Sequence, residues 1–308
     1  MPWWLVGQLA QIRPLWGNSA DVLRRVRHPQ LVAAALRGQG LLGPAVAFDA
    51  HQLCREGSWL RKSLRSSGGA QVSRWDRSAP TGSLGEDEYF QEFVEGLACS
   101  AVFVGSGRKA VLLGVTRQLI GVRWSGGDGF RYCGSVGPLT LPNAVAENFV
   151  RIGAVLAHEF ELAGLFGVDA IVNAEGVWPV EVNPRYTASV EILERAFGIR
   201  AMGLHVAACQ AGELPAPHAV SRQHPCGKAI LFATNRVEIT ADFEAGLEAD
   251  VSSPWPALAD LPARGTIIEP GWPILTVFAE AASEREVLDA LRRQAARIRS
   301  AMARQRSC

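Results

Sequence analysis

A chain of 308 residues, 48% hydrophobic and 20% charged, has the length for two or three domains and the composition of a globular protein with a large core. Its formal net charge of +1 creates no overall field that would draw in nucleic acid or an anionic membrane, so neither is an expected partner. No apolar run reaches the ~18 residues of a membrane span, and the apolar start Met1–Gln8 lacks the charged region of a signal peptide. Six cysteines without a CxxC pair argue against a zinc site or a disulfide framework. Free thiols in a reducing cytoplasm are the expectation.

In chain order, residues 20–37 read as one helix capped by Asp21, with Val22, Leu23, Val26, Leu31, Val32 and Leu36 at helical spacing and Gly38, Gly40, Gly43 and Pro44 ending it. Ala45 to Phe48 is a short strand. A strand over Trp59–Lys62, the turn Ser66-Ser67-Gly68-Gly69 and a strand over Ala70–Val72 come next. Residues 77–88 read as a loop, Tyr89 to Val94 as a β-prone run, and 101–104 and 110–119 as antiparallel strands joined at Gly105-Ser106-Gly107. An amphipathic helix is predicted over 144–161. A hairpin follows, with strands over 165–172 and 178–182 joined at Ala174-Glu175-Gly176, and then helices over 189–197 and 202–211. Beyond Pro215-Ala216-Pro217 the pattern becomes strand-rich, with strands over 228–233 and 274–279 and a closing helix over 284–303, whose arginines read as a solvated face. The class is α+β.

The hairpin carries the chemistry. Asp169 interrupts an apolar strand, and Glu181 and Asn183 at i, i+2 point to one face of the next strand. A tight turn would set Asp169 beside them. Such an all-oxygen group suits Mg2+ (or Mn2+), which takes one or two carboxylates together with substrate phosphates. Without a cation, buried carboxylates are strongly disfavoured; the alternative is that all three face solvent. Lys62 precedes a Gly-rich turn whose backbone N–H groups could close over phosphate oxygens, although a lysine beside a Gly-Gly turn can also be a plain hairpin end.

Trp59-Leu60-Arg61-Lys62 with Ser67-Gly68-Gly69, then Gln91 to Gly96, Gly167-Val168-Asp169 and Glu181-Val182-Asn183-Pro184-Arg185, together resemble the ATP-grasp superfamily in order and spacing, over about two-thirds of the chain. The run at 181–191, with residues 113–119, looks closest to predicted ATP-dependent carboxylate–amine ligases, a branch that includes tyramine–glutamate ligase of methanofuran synthesis. The resemblance implies two α/β subdomains gripping ATP. It assigns 1–19 to a remnant of an N-terminal domain, 20–92 to the first subdomain, 93–212 to the second with the metal site, and 213–308 to a small β-rich C-terminal segment.

It also implies roles. Lys62 and Arg27 (Arg25 being the rival) contact ATP phosphates, and Ser67, Gly68 and Gly69 form the loop above them. Gln91, Glu92, Phe93 and Val94 form the hinge that reads adenine, and Glu95 lies near the ribose. Asp169, Glu181 and Asn183 hold the metal. Arg185 acts with Lys62 on the transferred phosphoryl group. The reaction implied is amide formation from a carboxylate, glutamate in the nearest branch, and an amine through an acyl phosphate, as in one-carbon cofactor synthesis.

The family pattern has a full α/β domain ahead of the first subdomain, and here only residues 1–19 stand there. The resemblance therefore leaves room for a second subunit or a homo-oligomer completing that surface. Two rivals stay open: a nucleotide-binding regulatory or scaffold protein of the same fold, and an ATP-grasp enzyme with another acceptor, such as a carboxylase.

Overall fold

The computed structural model describes residues 3–53, 58–65, 68–69, 71–75, 84–85, 87–216, 224–248 and 255–304. In chain order these form α1 (Trp3–Ala10), α2 (Ala20–Val26), α3 (Pro29–Gly38), β1 (Val46–Ala47), β2 (Trp59–Ser63), β3 (Ser73–Arg74), β4 (Glu88–Glu92), β5 (Leu97–Ser106), β6 (Ala110–Ile120) and β7 (Tyr132–Gly137). Then come α4 (Asn143–Phe160), β8 (Ala163–Asn173), β9 (Gly176–Asn183), α5 (Ala188–Phe197), α6 (Ala201–Ala211), β10 (Cys226–Phe232), β11 (Val237–Glu238) and α7 (Ala241–Glu248). β12 (Leu258–Ala259), β13 (Ile267–Ile268), β14 (Pro273–Glu280) and α8 (Glu284–Arg304) complete the chain.

A four-stranded sheet in the order β1-β4-β2-β3 faces an eight-stranded sheet in the order β12-β14-β10-β7-β6-β5-β8-β9. The α+β class therefore holds. Period-two alternation on β5 explains how the large sheet is covered on both faces. Cys99, Ala101 and Phe103 point to one side, where Phe149, Ile152, Leu156 and Phe160 of α4 pack at spacings of three and four. Val102 and Val104 point to the other, beneath Val190 and Leu193 of α5 and Ala201 and Ala208 of α6. Strand β10 hydrogen-bonds onto β7 and β14 onto β10, so the 213–308 segment continues the large sheet, and the Val287, Leu291, Ala295, Ile298 and Met302 stripe of α8 covers it. Among the described residues no helix is long and apolar enough to cross a membrane.

Three local expectations fail. The predicted helix over 20–37 is two helices, broken at Arg27-His28-Pro29. Proline lacks the N–H a helix interior needs and drives the preceding residue out of the α region, and His28 is extended at φ −84 and ψ 111. Ser19, not Asp21, caps α2, its hydroxyl accepting from the Val22 N–H at 3.3 Å, while Asp21 pairs with Arg24 instead. The strand expected over 70–72 begins later, at Ser73, because the Val72 N–H turns back to the Gly69 carbonyl. The sequence reading also passed over α1, α7, β7 and the short strands β11 to β13, whose Gly-rich or two-residue patterns carry little periodicity.

Candidate active site

The hairpin β8–β9 lies at one edge of the large sheet. Asp169 and Glu181 are direct cross-strand partners, and Asn183 sits opposite Gly167 two residues along. All three side chains therefore share a face. Asn183 is buried, and its Nδ2 donates to Asp169 Oδ2 at 3.3 Å, while Arg185 Nη2 donates to Asn183 Oδ1 at 3.1 Å. Burial, followed by the field of Glu181, pushes the Asp169 carboxyl up to about 6, against hydrogen bonds from Ser100 and Gln118 and the charge of Lys62. Two carboxylates facing each other in a half-buried site repel. A divalent cation would relieve that repulsion.

Lys62 approaches this group from the other sheet. It is 7% exposed, and its Nζ donates to Gln91 Oε1 at 2.8 Å and to the Val180 carbonyl of β9 at 3.3 Å. Burial lowers its ammonium below the usual lysine range, with Glu181 and Asp169 opposing. Gln91 Nε2 donates to the same Val180 carbonyl at 3.3 Å, so side chains of β2 and β4 tie the small sheet to β9.

The break between α2 and α3 aims Arg27 into the same cleft, which Lys62, Gln91, Glu181, Asn183 and Arg185 also line. Burial and the charge of Arg185 lower the Arg27 guanidinium, with Glu181 opposing. Arg25 turns away: its guanidinium donates to the Glu159 carbonyl at 2.8 Å and sits 5.6 Å from the centre of the Phe160 ring. The cleft thus brings four cations, Arg27, Lys62, Arg65 and Arg185, against Glu181 and the Asn183 amide, with Asp169 next to Glu181 on the neighbouring strand. That arrangement can hold a polyphosphate and a cation together.

The Gly-rich turn and the hinge residues Glu92, Phe93 and Val94 lie outside this cleft, while Gln91 lines it. Ser67 falls outside the described residues. Gly68 offers its carbonyl to the Tyr132 N–H at 3.0 Å, so the turn reaches across to β7. Gly69 has φ +77, and any Cβ there would overlap the Phe130 carbonyl oxygen, which leaves glycine as the residue that fits. Gln91 and Glu92 belong to β4 rather than to a linker, and Glu92 accepts from the Ala45 N–H at 2.9 Å. Phe93 donates its N–H to the Ser58 carbonyl at 2.8 Å and carries Arg74 over its ring at 3.9 Å. Among the described residues no backbone hydrogen bond engages Val94. Glu95 is exposed, and its carbonyl accepts from Asn173 at 3.2 Å.

One residue near the site escaped the sequence reading. Asn18 is buried, its Oδ1 accepting from Ala163 N at 2.9 Å and its Nδ2 donating to the Ala163 and Pro184 carbonyls at 3.2 and 3.4 Å. It clamps the segment next to Arg185, and a lone asparagine before a helix gives no sign of such a partner 166 residues away.

The chain as a whole is similar to several known proteins. An uncharacterised protein of Methanocaldococcus jannaschii is 28% identical over 191 residues, covering 62% of this chain. The alignment spans 42% of that relative, less than half its length. Among solved structures, an L-amino acid ligase from Bacillus licheniformis superposes with a TM-score of 0.69 at 15% identity, covering 94% of this chain and 75% of the other. A carboxyaminoimidazole ribonucleotide synthase from Aspergillus clavatus, complexed with ATP, gives 0.71 at 13% identity, covering 97% and 79%. These likenesses speak to the fold. The pattern of the ATP-grasp domain matches residues 31–189, just over half the chain, from α3 through the β8–β9 hairpin to the start of α5. On that match and the two-sheet architecture, the chain belongs to the ATP-grasp family.

Proposed function

We propose that this chain is an ATP- and Mg2+-dependent ligase that converts a carboxylate to an acyl phosphate and joins it to an amine. The observation that carries this reading is the facing of Lys62 and Arg27 on one wall of a cleft against Glu181, Asn183 and Arg185 on the other, with Asp169 behind. A carboxylate is a poor electrophile because its charge repels an amine and oxide does not leave. Phosphorylation supplies a leaving group, so the protein's work is to position the reactants and spread charge.

Lys62, held by Gln91 and the Val180 carbonyl, offers a fixed donor to a phosphate oxygen. Arg185, oriented by Asn183 Oδ1, presents a guanidinium to the phosphoryl group in flight and to the acyl phosphate. Arg27 holds the far side of the polyphosphate. Asp169, Glu181 and the Asn183 amide oxygen are hard oxygen donors that fit Mg2+, which takes few protein ligands and completes its shell with phosphate and water; bound there, it would neutralise phosphate charge. The Gly68–Gly69 turn leaning on β7 would keep water from the intermediate.

Glutamate as the carboxylate, and a role in one-carbon cofactor synthesis, rest on the resemblance carried by the 181–191 run with residues 113–119. The test is ADP release with Mg2+ and ATP over a panel of carboxylic acids, each with and without amines. Release that depends on both partners supports the ligase. Release driven by bicarbonate in place of the amine would assign a carboxylase-type acceptor, and no release with any acceptor would leave a nucleotide-binding protein without turnover.

A further inference from the structure

From the metal hairpin, a row of polar side chains runs across the large sheet on the face where a core would be expected. Strand register aligns Asp169 with Ser100, Ser100 with Thr116, Gln118 with Ser135, and Ser135 with Lys228 of β10. Further along the same strands this face is apolar, with Val102, Val104 and Leu165 packed under α5 and α6. Ser100, Thr116 and Ser135 are at most 1% exposed. Buried hydroxyls in a sheet core cost stability unless they are bonded or serve a ligand.

The row is joined through α5. Thr116 donates to Ser189 Oγ at 3.0 Å, and Ser135 Oγ lies 3.4 Å from Ser189 Oγ and 2.7 Å from the Tyr132 hydroxyl. Burial, with the charges of Asp169 and Glu191, raises the Tyr132 phenol above its ordinary range, and the Ser135 hydrogen bond opposes. At the far end Lys228 Nζ donates to Glu191 Oε2 at 3.0 Å, and the other Glu191 oxygen lies 3.7 Å from Arg195. Two cations on one carboxylate leave a positive charge in excess. Glu280 also acts on Arg195, but it is exposed and screened.

An independent feature marks the near end. Thr187, two residues past Arg185, is 6% exposed, and its hydroxyl has no partner among the described residues, so α5 starts without a side-chain cap. At about 1.5 Å of rise per residue, Glu191 stands about 6 Å, one helical turn, from Thr187. The distance suits the span of a small amino acid.

We infer that this row is the acceptor subsite: Lys228, with the Ser135 and Tyr132 hydroxyls, binds a carboxylate carried by the amine substrate, so that the amine stands at the Arg185 end of α5. The inference rests on the ligase reading. Glu191 and Arg195 hold Lys228 in place between turnovers. The competing explanation is a purely structural pair that clips β10 to α5.

The experiment has two stages. The whole chain with ATP and Mg2+ is first offered single carboxylic acids together with hydroxylamine, a small neutral nucleophile that needs no anion subsite. Hydroxamate identifies the donor and tests the ligase reading by itself; no hydroxamate from any acid removes that reading and the subsite with it. With the donor fixed, each L-amino acid is then compared with its carboxamide as acceptor. The expected result is a KM for the preferred acid about tenfold or more below that of its carboxamide, the size of one lost charge-assisted hydrogen bond. Lys228→Met should erase that preference while the KM for ATP stays within about twofold, the range of a change that leaves nucleotide binding intact. A carboxamide used as well as its acid, no amino acid accepted, or a Lys228→Met variant that keeps the preference would each overturn the subsite. The exchanged pair Glu191→Lys with Lys228→Glu addresses the structural alternative: an acceptor KM restored to the wild-type value would overturn the proposal, and a persistent defect with unchanged melting would support it.

Discussion

The eight-stranded sheet is covered on both faces, by α4 on one side and by α5 and α6 on the other, and its core holds fully buried Phe103, Phe149, Phe166 and Leu156. The four-stranded sheet rests on a cluster built from Ala47, Trp59 and Phe90, and both residues of its edge strand β3 are exposed. Its links to the larger sheet include the polar contacts of Lys62 and Gln91 to the Val180 carbonyl and the Gly68–Tyr132 bond. A thin apolar core joined through polar groups lets ligand binding decide how firmly one part closes on the other. Stability belongs to the large sheet, and grip to the small one.

The largest expected effect tests that division directly. Phe166→Ala removes a ring stacked 5.0 Å from Phe103. It should cost about 3–5 kcal/mol of global stability. Phe90→Ala, a like truncation in the small sheet, should leave the main calorimetric transition nearly unchanged while speeding hydrogen exchange in β2 and β4 and weakening nucleotide binding. Equal losses of melting temperature in both variants would break the comparison.

Next in size is the β8–β9 hairpin, as the proposed metal site. Glu181→Gln or Asn183→Ala should lower turnover by about 100-fold or more, since charge stabilisation of this kind is worth several kcal/mol. The melting temperature should hold in Glu181→Gln, because Glu181 faces the open cleft. Near-normal ATP-dependent activity in either variant would contradict the assignment.

Gly69→Ala probes the closure. A methyl group there meets the Phe130 carbonyl at a φ of +77, so the turn cannot dock on β7. The KM for ATP should rise by about five- to tenfold, as a loop-ordering term of about 1 kcal/mol implies, with the global melt unmoved.

The smallest effect is a pH dependence. Asp169 titrates at about 6 in the folded chain, above its ordinary value of 3.8, so between these values the folded state binds more protons than the unfolded one. This contribution to stability is fully present below about pH 4 and is lost as the pH rises through 6. In metal-free protein, the melting temperature of Asp169→Asn relative to wild type should therefore climb from pH 4 to pH 6, and Mg2+ with ATP should flatten that slope. A difference independent of pH would mean that Asp169 is not held against Glu181 as the geometry shows.

Much of the site's grouping was legible in the sequence because strand periodicity is local. The i, i+2 spacing of Glu181 and Asn183 and the short turn at 174–176 are enough to put Asp169 beside them, and the structure does so. The α4 and α8 stripes were legible for the same reason, through helical spacing. The broken helix was also written locally, in Pro29, whose effect on His28 outweighs the apolar periodicity of 20–37.

What the sequence determined by itself was thus each element's face and the residues that share it. Tertiary structure alone decided which faces meet. Lys62 contacts Val180 across 118 positions, Asn18 reaches Pro184 across 166, and Lys228 comes to Glu191 only because β10 joins the sheet next to β7. Pairing of distant strands depends on closing long loops and burying surface jointly, and no window of neighbouring residues carries that information.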